Sequence, residues 1–145
     1  MTNHVDALKS LHTALIDSRN GYDEALEDAE GKGLTPLFRD MIALRNEHAD
    51  QLAGHLRAMG EMVDGEGSFM SALHRTVISL RAVLTGLDES VLPGLIDGEE
   101  RIVGYYDQAI EESPASAPEC GTLVKQREAV RGKIAEMKAK HEKAA

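Results

Sequence analysis

The chain has 145 residues, with 16 lysines and arginines against 25 aspartates and glutamates, so its formal net charge is −9. Such an acidic chain lacks the basic face that nucleic-acid phosphates require, which argues against nucleic acid as a partner. Hydrophobic residues make up 42% and aromatic residues 3%. This composition predicts one all-α domain over residues 1–145 and argues against most β-sandwiches.

Apolar residues spaced by three and four predict helices along most of the chain. The first helix is predicted over residues 2–30 and ends at the glycines of residues 31–33. The second helix is predicted to start with Thr35 as its N-cap and Pro36 in its first turn. It is expected to stop near Gly60, because glycine commonly follows the last helical residue.

Three further helices are predicted in the second half of the chain. A shorter one spans residues 69–85, after a loop rich in glycine and acidic residues. The next starts after Ser90 and tolerates Pro93 only because that proline falls in its first turn. Residues 113–118 break the chain again, and the last helix runs over residues 119–145.

The four long helices form two antiparallel hairpins with tight turns, and the short helix lies in the long crossover between them. This layout resembles the ferritin-like up-down four-helix bundle. More closely, the strings LIDSRNGYDEA at residues 15–25, LHR at 73–75 and LTG at 84–86 are similar to an uncharacterised bacterial family of ferritin-like bundle proteins, classed as a domain of unknown function. The resemblance implies a fold and no particular reaction.

A ferritin-like resemblance implies a carboxylate-bridged di-iron centre as the first candidate site. Such a centre uses an inward Glu from each of two helices and a Glu-x-x-His from each of the other two. No Glu-x-x-His occurs in this chain, so a complete di-iron site is absent. The sequence favours a non-enzymatic structural, stress-related or interaction protein, with no catalytic residue and no cofactor.

A metal-binding protein with oxidase or ferroxidase-like activity is the alternative. Its atypical centre would combine Glu99 with His48, or with acids such as Glu24 and Glu47, to bind iron, manganese or zinc. A stoichiometric, tightly bound metal would favour this alternative.

Polar residues interrupt the apolar stripes that are predicted to face the core. Glu99 has apolar residues one turn away on both sides, so it is expected to point inward. We predict that Arg19, Arg45 and Arg127 surround it in a polar core layer, because a buried charge must be paired. Guanidinium groups repel cations, so this layer favours architecture over a metal site.

Three histidines also fall at or near the inward stripes. If the first two helices are antiparallel, His12 lies at the level of His55, and His48 shares a helix face with His55. The three imidazoles could bind Zn²⁺ or Cu²⁺ weakly, or form a pH-sensitive contact. However, His48 and His55 are about 10 Å apart along the helix, which favours separate histidines at the stripe edge.

The sequence also bears on location. Cys120 is the single cysteine, so no intrachain disulfide requires an oxidising compartment. Residues 1–6 lack the basic and apolar regions of a signal peptide, and no apolar run approaches the roughly 20 residues that cross a bilayer. We expect a soluble cytoplasmic protein with no membrane partner.

Two surfaces are candidates for binding. Apolar residues at flanking positions suggest a second buried face and therefore a homodimer; these residues are Leu11, Ile16, Ile42 and Ile96. As a further alternative, the short helix of residues 69–85, with Arg75 and Arg81 on its outer side, covers a pocket or a partner surface. The identity of such a protein partner or small ligand stays open.

Overall fold

The computed structural model describes residues 4–29, 34–63 and 92–144. These residues form four α-helices and contain no strand. The helices are α1 (His4–Ala29), α2 (Thr35–Ala58), α3 (Leu92–Glu112) and α4 (Pro118–Ala144). They pack as a four-helix bundle, which confirms the predicted all-α class. The short helix predicted over residues 69–85, with its arginines, lies outside the described residues.

The start of α2 differs from the prediction by one residue. Leu34 occupies the N-cap position and makes no side-chain capping bond, while Thr35 is already helical and Pro36 follows in the first turn. Leu34 is fully buried. The helix therefore starts one residue earlier than predicted, after a buried apolar residue at the N-cap position.

The end of α2 agrees with the prediction. Gly60 has φ 83°, a left-handed conformation that glycine adopts without steric cost. Its N–H donates to the Arg57 carbonyl (2.9 Å), and the Glu61 N–H donates to the Leu56 carbonyl (3.0 Å), which together make a Schellman motif. The Glu61 carboxylate then pairs with Lys9 of α1 at 2.6 Å, so the same turn ties the two helices together.

Contacts between side chains give the direction of each helix. The first hairpin is antiparallel, since Lys9 near the start of α1 meets Glu61 beyond the end of α2. Helix α4 is antiparallel to both α2 and α3. The contacts that show this are Asp40–Lys133 and His55–Thr122 between α2 and α4, and Glu100–Lys138 and Asp107–Arg127 between α3 and α4.

Because α2 and α3 both run antiparallel to α4, they are parallel to each other. From α1 to α4 the helices therefore run up, down, down and up. It follows that residue 63, after α2, and residue 92, at the start of α3, lie near opposite ends of the bundle.

The apolar core lies between all four helices. Its fully buried side chains include Leu8, Leu11, Leu15, Phe38, Met41, Leu52, Leu92 and Tyr106. Leu11, Ile16 and Ile96 are buried in this bundle and Ile42 packs partly buried against its core, so these four residues do not form a second apolar face. Among the described helices, none combines the length and apolarity that a membrane span needs.

Candidate functional site

An ion pair between α2 and α3 lies at the centre of the bundle. The Arg45 side chain is completely buried and Glu99 is 2% exposed, and Arg45 Nη2 donates to Glu99 Oε1. The Tyr22 hydroxyl of α1 donates to the other carboxylate oxygen, Oε2, at 2.8 Å. Arg45 Nε donates to Ser18 Oγ at 3.2 Å. Three helices therefore meet at one carboxylate, and both of its oxygens accept a hydrogen bond.

The electrostatics of this cluster follow from burial and from the pair itself. Burial alone lowers the pKa of the Arg45 guanidinium, but the charge of the Glu99 carboxylate raises it above its ordinary value. Burial raises the pKa of Tyr22 well above its ordinary value, and the Glu99 charge adds to this effect. The cluster thus holds a cation, an anion and a neutral phenol. Arg45 Nη1 has no hydrogen-bond partner within the described part of the chain.

A second cluster lies one helical turn along α2. The Tyr106 hydroxyl of α3 donates to Gln126 Oε1 of α4 at 2.8 Å and lies 3.3 Å from His48 Nδ1 of α2. Gln126 Nε2 donates to the His48 carbonyl (3.3 Å) and to Gln51 Oε1 (2.7 Å). Because Tyr106 gives its only proton to Gln126, it must accept from His48 Nδ1–H. In neutral His48 the lone pair is therefore on Nε2.

Both titratable groups of this second cluster are held neutral. Burial, and then the positive charge of Arg45, lower the pKa of His48 from 6.5 to about 4. Burial also raises the pKa of Tyr106. The cluster is consequently an uncharged hydrogen-bond network at neutral pH, next to a charged one.

The structure places the other two arginines of the predicted layer elsewhere. Arg19 is partly exposed and donates to Asn20 Oδ1 and Asn46 Oδ1. Arg127 is 22% exposed and pairs with Asp107 at 2.9 Å and with Glu128 at 3.3 Å. Each long side chain reaches the rim of the bundle, where water offsets the cost of desolvating its charge. The guanidinium that meets Glu99 is that of Arg45.

Several members of these clusters were not predicted from the sequence. The Tyr22 hydroxyl donates to Glu99, which is 77 residues away and which no local pattern indicates as its partner. Ser18 lies on α1 opposite Arg45, and no sequence pattern indicated that it would contact a buried charge. Gln126 is adjacent to Arg127, and both fall near the inward stripe of α4. Its burial is explained by the lower cost of burying an amide than a charged group.

The three histidines do not converge. His12 is buried, and burial followed by the charges of Arg57 and Arg19 lowers its pKa. His48 contacts α3, whereas His55 Nε2 lies 3.0 Å from Thr122 Oγ1 of α4.

Potential metal ligands are likewise dispersed. Glu24 and Glu47, the other acids considered for an atypical centre, are exposed. Over residues 4–29, 34–63 and 92–144, no group of three or more His, Cys, Asp or Glu side chains could hold a metal ion.

The geometry of the two clusters indicates what they can do. The Glu99 carboxylate is occupied by donors from two helices, and the nearest cation is a permanently charged guanidinium. His48 and Gln126 are likewise engaged with Tyr106. These groups join helices to one another, in the manner of a buried polar network that fixes packing.

Comparison with known proteins gives one family and no named relative. The family described as Domain of unknown function (DUF2383) matches residues 3–112. No curated protein and no solved structure matches the chain. Since the family match spans α1, α2 and α3 and most of the chain's length, the chain belongs to the DUF2383 family.

Proposed function

We propose that the chain is a non-enzymatic ferritin-like bundle with a structural, stress-related or interaction role. In this proposal the middle of the bundle, where a di-iron protein gathers its carboxylates, holds an ion pair instead. One observation carries the proposal. Glu99 is buried and accepts from Arg45 on one oxygen and from Tyr22 on the other.

We also propose a cytoplasmic location. Two further features support the ferritin-like fold and this location. Helices α2 and α3 are parallel, so the end of α2 and the start of α3 lie at opposite ends of the bundle, as do the two helices that a long crossover joins in ferritin-like folds. Cys120 is a free, partly buried thiol, which suits a reducing compartment.

Metal-dependent oxidase or ferroxidase-like activity is the competing function, and one observation favours it. Neutral His48 keeps a lone pair on Nε2, as a metal ligand requires. Glu99, however, would have to exchange Arg45 for the metal and leave a buried guanidinium without its counterion. That exchange is costly, because a buried unpaired charge destabilises a protein by several kcal/mol, on the order of 3–5.

Metal analysis separates the two functions. The untagged protein, purified without chelator, is compared with Glu99→Gln and His48→Gln, and with Glu47→Gln as a control that alters an exposed acid. We expect no near-stoichiometric iron, manganese or zinc in any of the four proteins. Near-stoichiometric metal that is lost in the Glu99 and His48 variants and kept in the control would overturn the proposal and favour the competing function.

A second experiment tests the role in the cell. The variant Arg45→Met/Glu99→Met replaces the ion pair with apolar side chains of similar length. If the pair is architecture, this variant should complement a deletion strain as well as the wild-type chain under every stress that reveals a phenotype. A folded double variant that fails to complement would show that these groups do chemistry or bind a ligand.

A further inference from the structure

Helix α4 carries a second stripe on its outer side. Its members are spaced alternately by three and four residues, the spacing that keeps side chains on one helical face. All of them are exposed; they are Gly121, Val124, Glu128, Arg131, Ala135 and Lys138. Val124 is one of three large hydrophobic side chains in the described residues that are exposed to solvent, at 37%. We call this set the outer stripe.

An open groove of about 460 Å³ adjoins one half of the outer stripe, between α3 and α4. It is lined by Glu100, Val103, Arg131, Ile134, Ala135 and Lys138. Val103 and Ile134 form its apolar floor. Charged side chains stand at its edge, with Lys138 Nζ 3.4 Å from Glu100 Oε1. A small apolar side chain with a charged neighbour suits this shape.

We propose that a second copy of this chain docks here, with the two α4 helices antiparallel across a twofold axis. The alternating spacing of the outer stripe is the same in both directions, so the stripe can pair with itself. The pairing sets Gly121 against Lys138, Val124 against Ala135 and Glu128 against Arg131, each twice because the interface is isologous.

The sizes of the paired side chains favour a second copy of this chain as the partner at the outer stripe. Val124 of each copy meets Ala135 of the other, beside the groove with its apolar floor. Gly121 leaves room for the long Lys138 side chain. Such matching of large with small residues is what close packing of two helices requires.

The charges on the outer stripe also match. Glu128 and Arg131 lie within one helix at 2.7 Å, and both are about half exposed. An exposed pair of this kind is worth little within its own helix. In the antiparallel dimer the same two residues gain reciprocal partners of opposite sign. The outer stripe is thus complementary to itself in charge as well as in size.

Charge reversal with mixing tests the proposal. In sedimentation equilibrium at high micromolar concentration, we expect the wild-type protein to have twice the mass of one 15.7 kDa chain. The variants Glu128→Arg and Arg131→Glu each place like charges across the axis, and each should dimerise at least about tenfold more weakly. An equimolar mixture of the two variants restores opposite charges at both pairs. The mixture should therefore recover a dimer of wild-type affinity, which charge changes confined to one helix would not produce.

The control is Glu136→Arg, which breaks another i, i+3 ion pair on α4, with Lys133 at 3.1 Å, away from the outer stripe. It should leave dimerisation unchanged. Circular dichroism of every variant shows that the helices are intact. A wild-type chain that stays monomeric, a dimer that persists in both single variants, or a mixture that fails to recover would each overturn the proposal.

Discussion

Arg45 of α2 and Glu99 of α3 form an ion pair that joins the two hairpins at the centre of the bundle. The two side chains are essentially inaccessible to solvent, at 0% and 3% exposure. The attraction between two such charges is largely offset by the cost of removing them from water. The pair therefore does more to make each partner indispensable to the other than to raise the net stability of the fold.

A double-mutant cycle measures this dependence. Arg45→Met and Glu99→Met each leave one buried charge unpaired, so each should lower the free energy of unfolding by about 3–5 kcal/mol. Arg45→Met/Glu99→Met should lose much less than the sum of the two, because no charge is left unpaired. Urea unfolding of the four proteins gives the coupling energy. Losses that simply add would contradict the ion pair.

The stability lost when each of the three tyrosines is replaced by phenylalanine should depend on what its hydroxyl group contacts. Tyr22→Phe removes a hydrogen bond to a buried carboxylate and should cost about 1.5–3 kcal/mol, whereas Tyr106→Phe removes bonds to neutral partners and should cost about 0.5–1.5 kcal/mol. Tyr105, which is 41% exposed, provides the control, and Tyr105→Phe should be close to neutral. Thermal unfolding in one buffer checks the order. A Tyr22 variant as stable as the wild type would contradict the contact with Glu99.

Stability should depend on pH through the buried histidines. Burial lowers the pKa of His48 in the folded state to about 4, against 6.5 ordinarily, so between these values the unfolded chain binds the proton and the folded chain does not. The free energy of unfolding should therefore rise as pH increases from about 4 to about 6.5, and each unit of pKa difference contributes about 1.4 kcal/mol at most. His12, whose pKa is also lowered, acts in the same direction.

The variant His48→Gln should flatten this pH dependence. His55→Gln, which changes a partly exposed imidazole, should retain it and provides the control. Urea midpoints across the range from pH 4 to 7 give the comparison. An equally steep dependence in His48→Gln would contradict the neutral buried imidazole.

Replacing Gly54, within α2, and Gly60, just after its end, with alanine should change the free energy of unfolding in opposite directions. A Cβ added at Gly54 meets no other atom within 4 Å, and alanine favours the helix there, so Gly54→Ala should stabilise the fold by about 0.5–1 kcal/mol. Gly60 has φ 83°, where alanine is strained, so Gly60→Ala should cost about 1–2 kcal/mol. The midpoints of thermal unfolding of both variants test this difference. Equal effects would contradict the Schellman turn.

The sequence predicted the four described helices well, because the signals for them are local. Apolar spacing, glycine at the end of α2 and proline near the start of α3 each act within one or two turns. The polar core was predicted less completely, because its partners lie on different helices. Tyr22 and Glu99 are 77 residues apart, and no local pattern states that they meet. The choice of Gln126 over Arg127 as the inward residue depends on a small rotation of α4, which spacing alone leaves open.

The position of the ion pair also bears on how the chain assembles. Contacts within each hairpin join neighbouring segments, but Arg45 and Glu99 are 54 residues apart and lie on different hairpins. We therefore expect them to meet when one hairpin docks on the other. A docking displaced by one turn would trap a bare carboxylate and a bare guanidinium away from water. We infer that the pair selects the correct alignment of the hairpins by penalising the wrong ones. Refolding of Arg45→Met/Glu99→Met should accordingly yield more misaligned species than refolding of the wild-type chain.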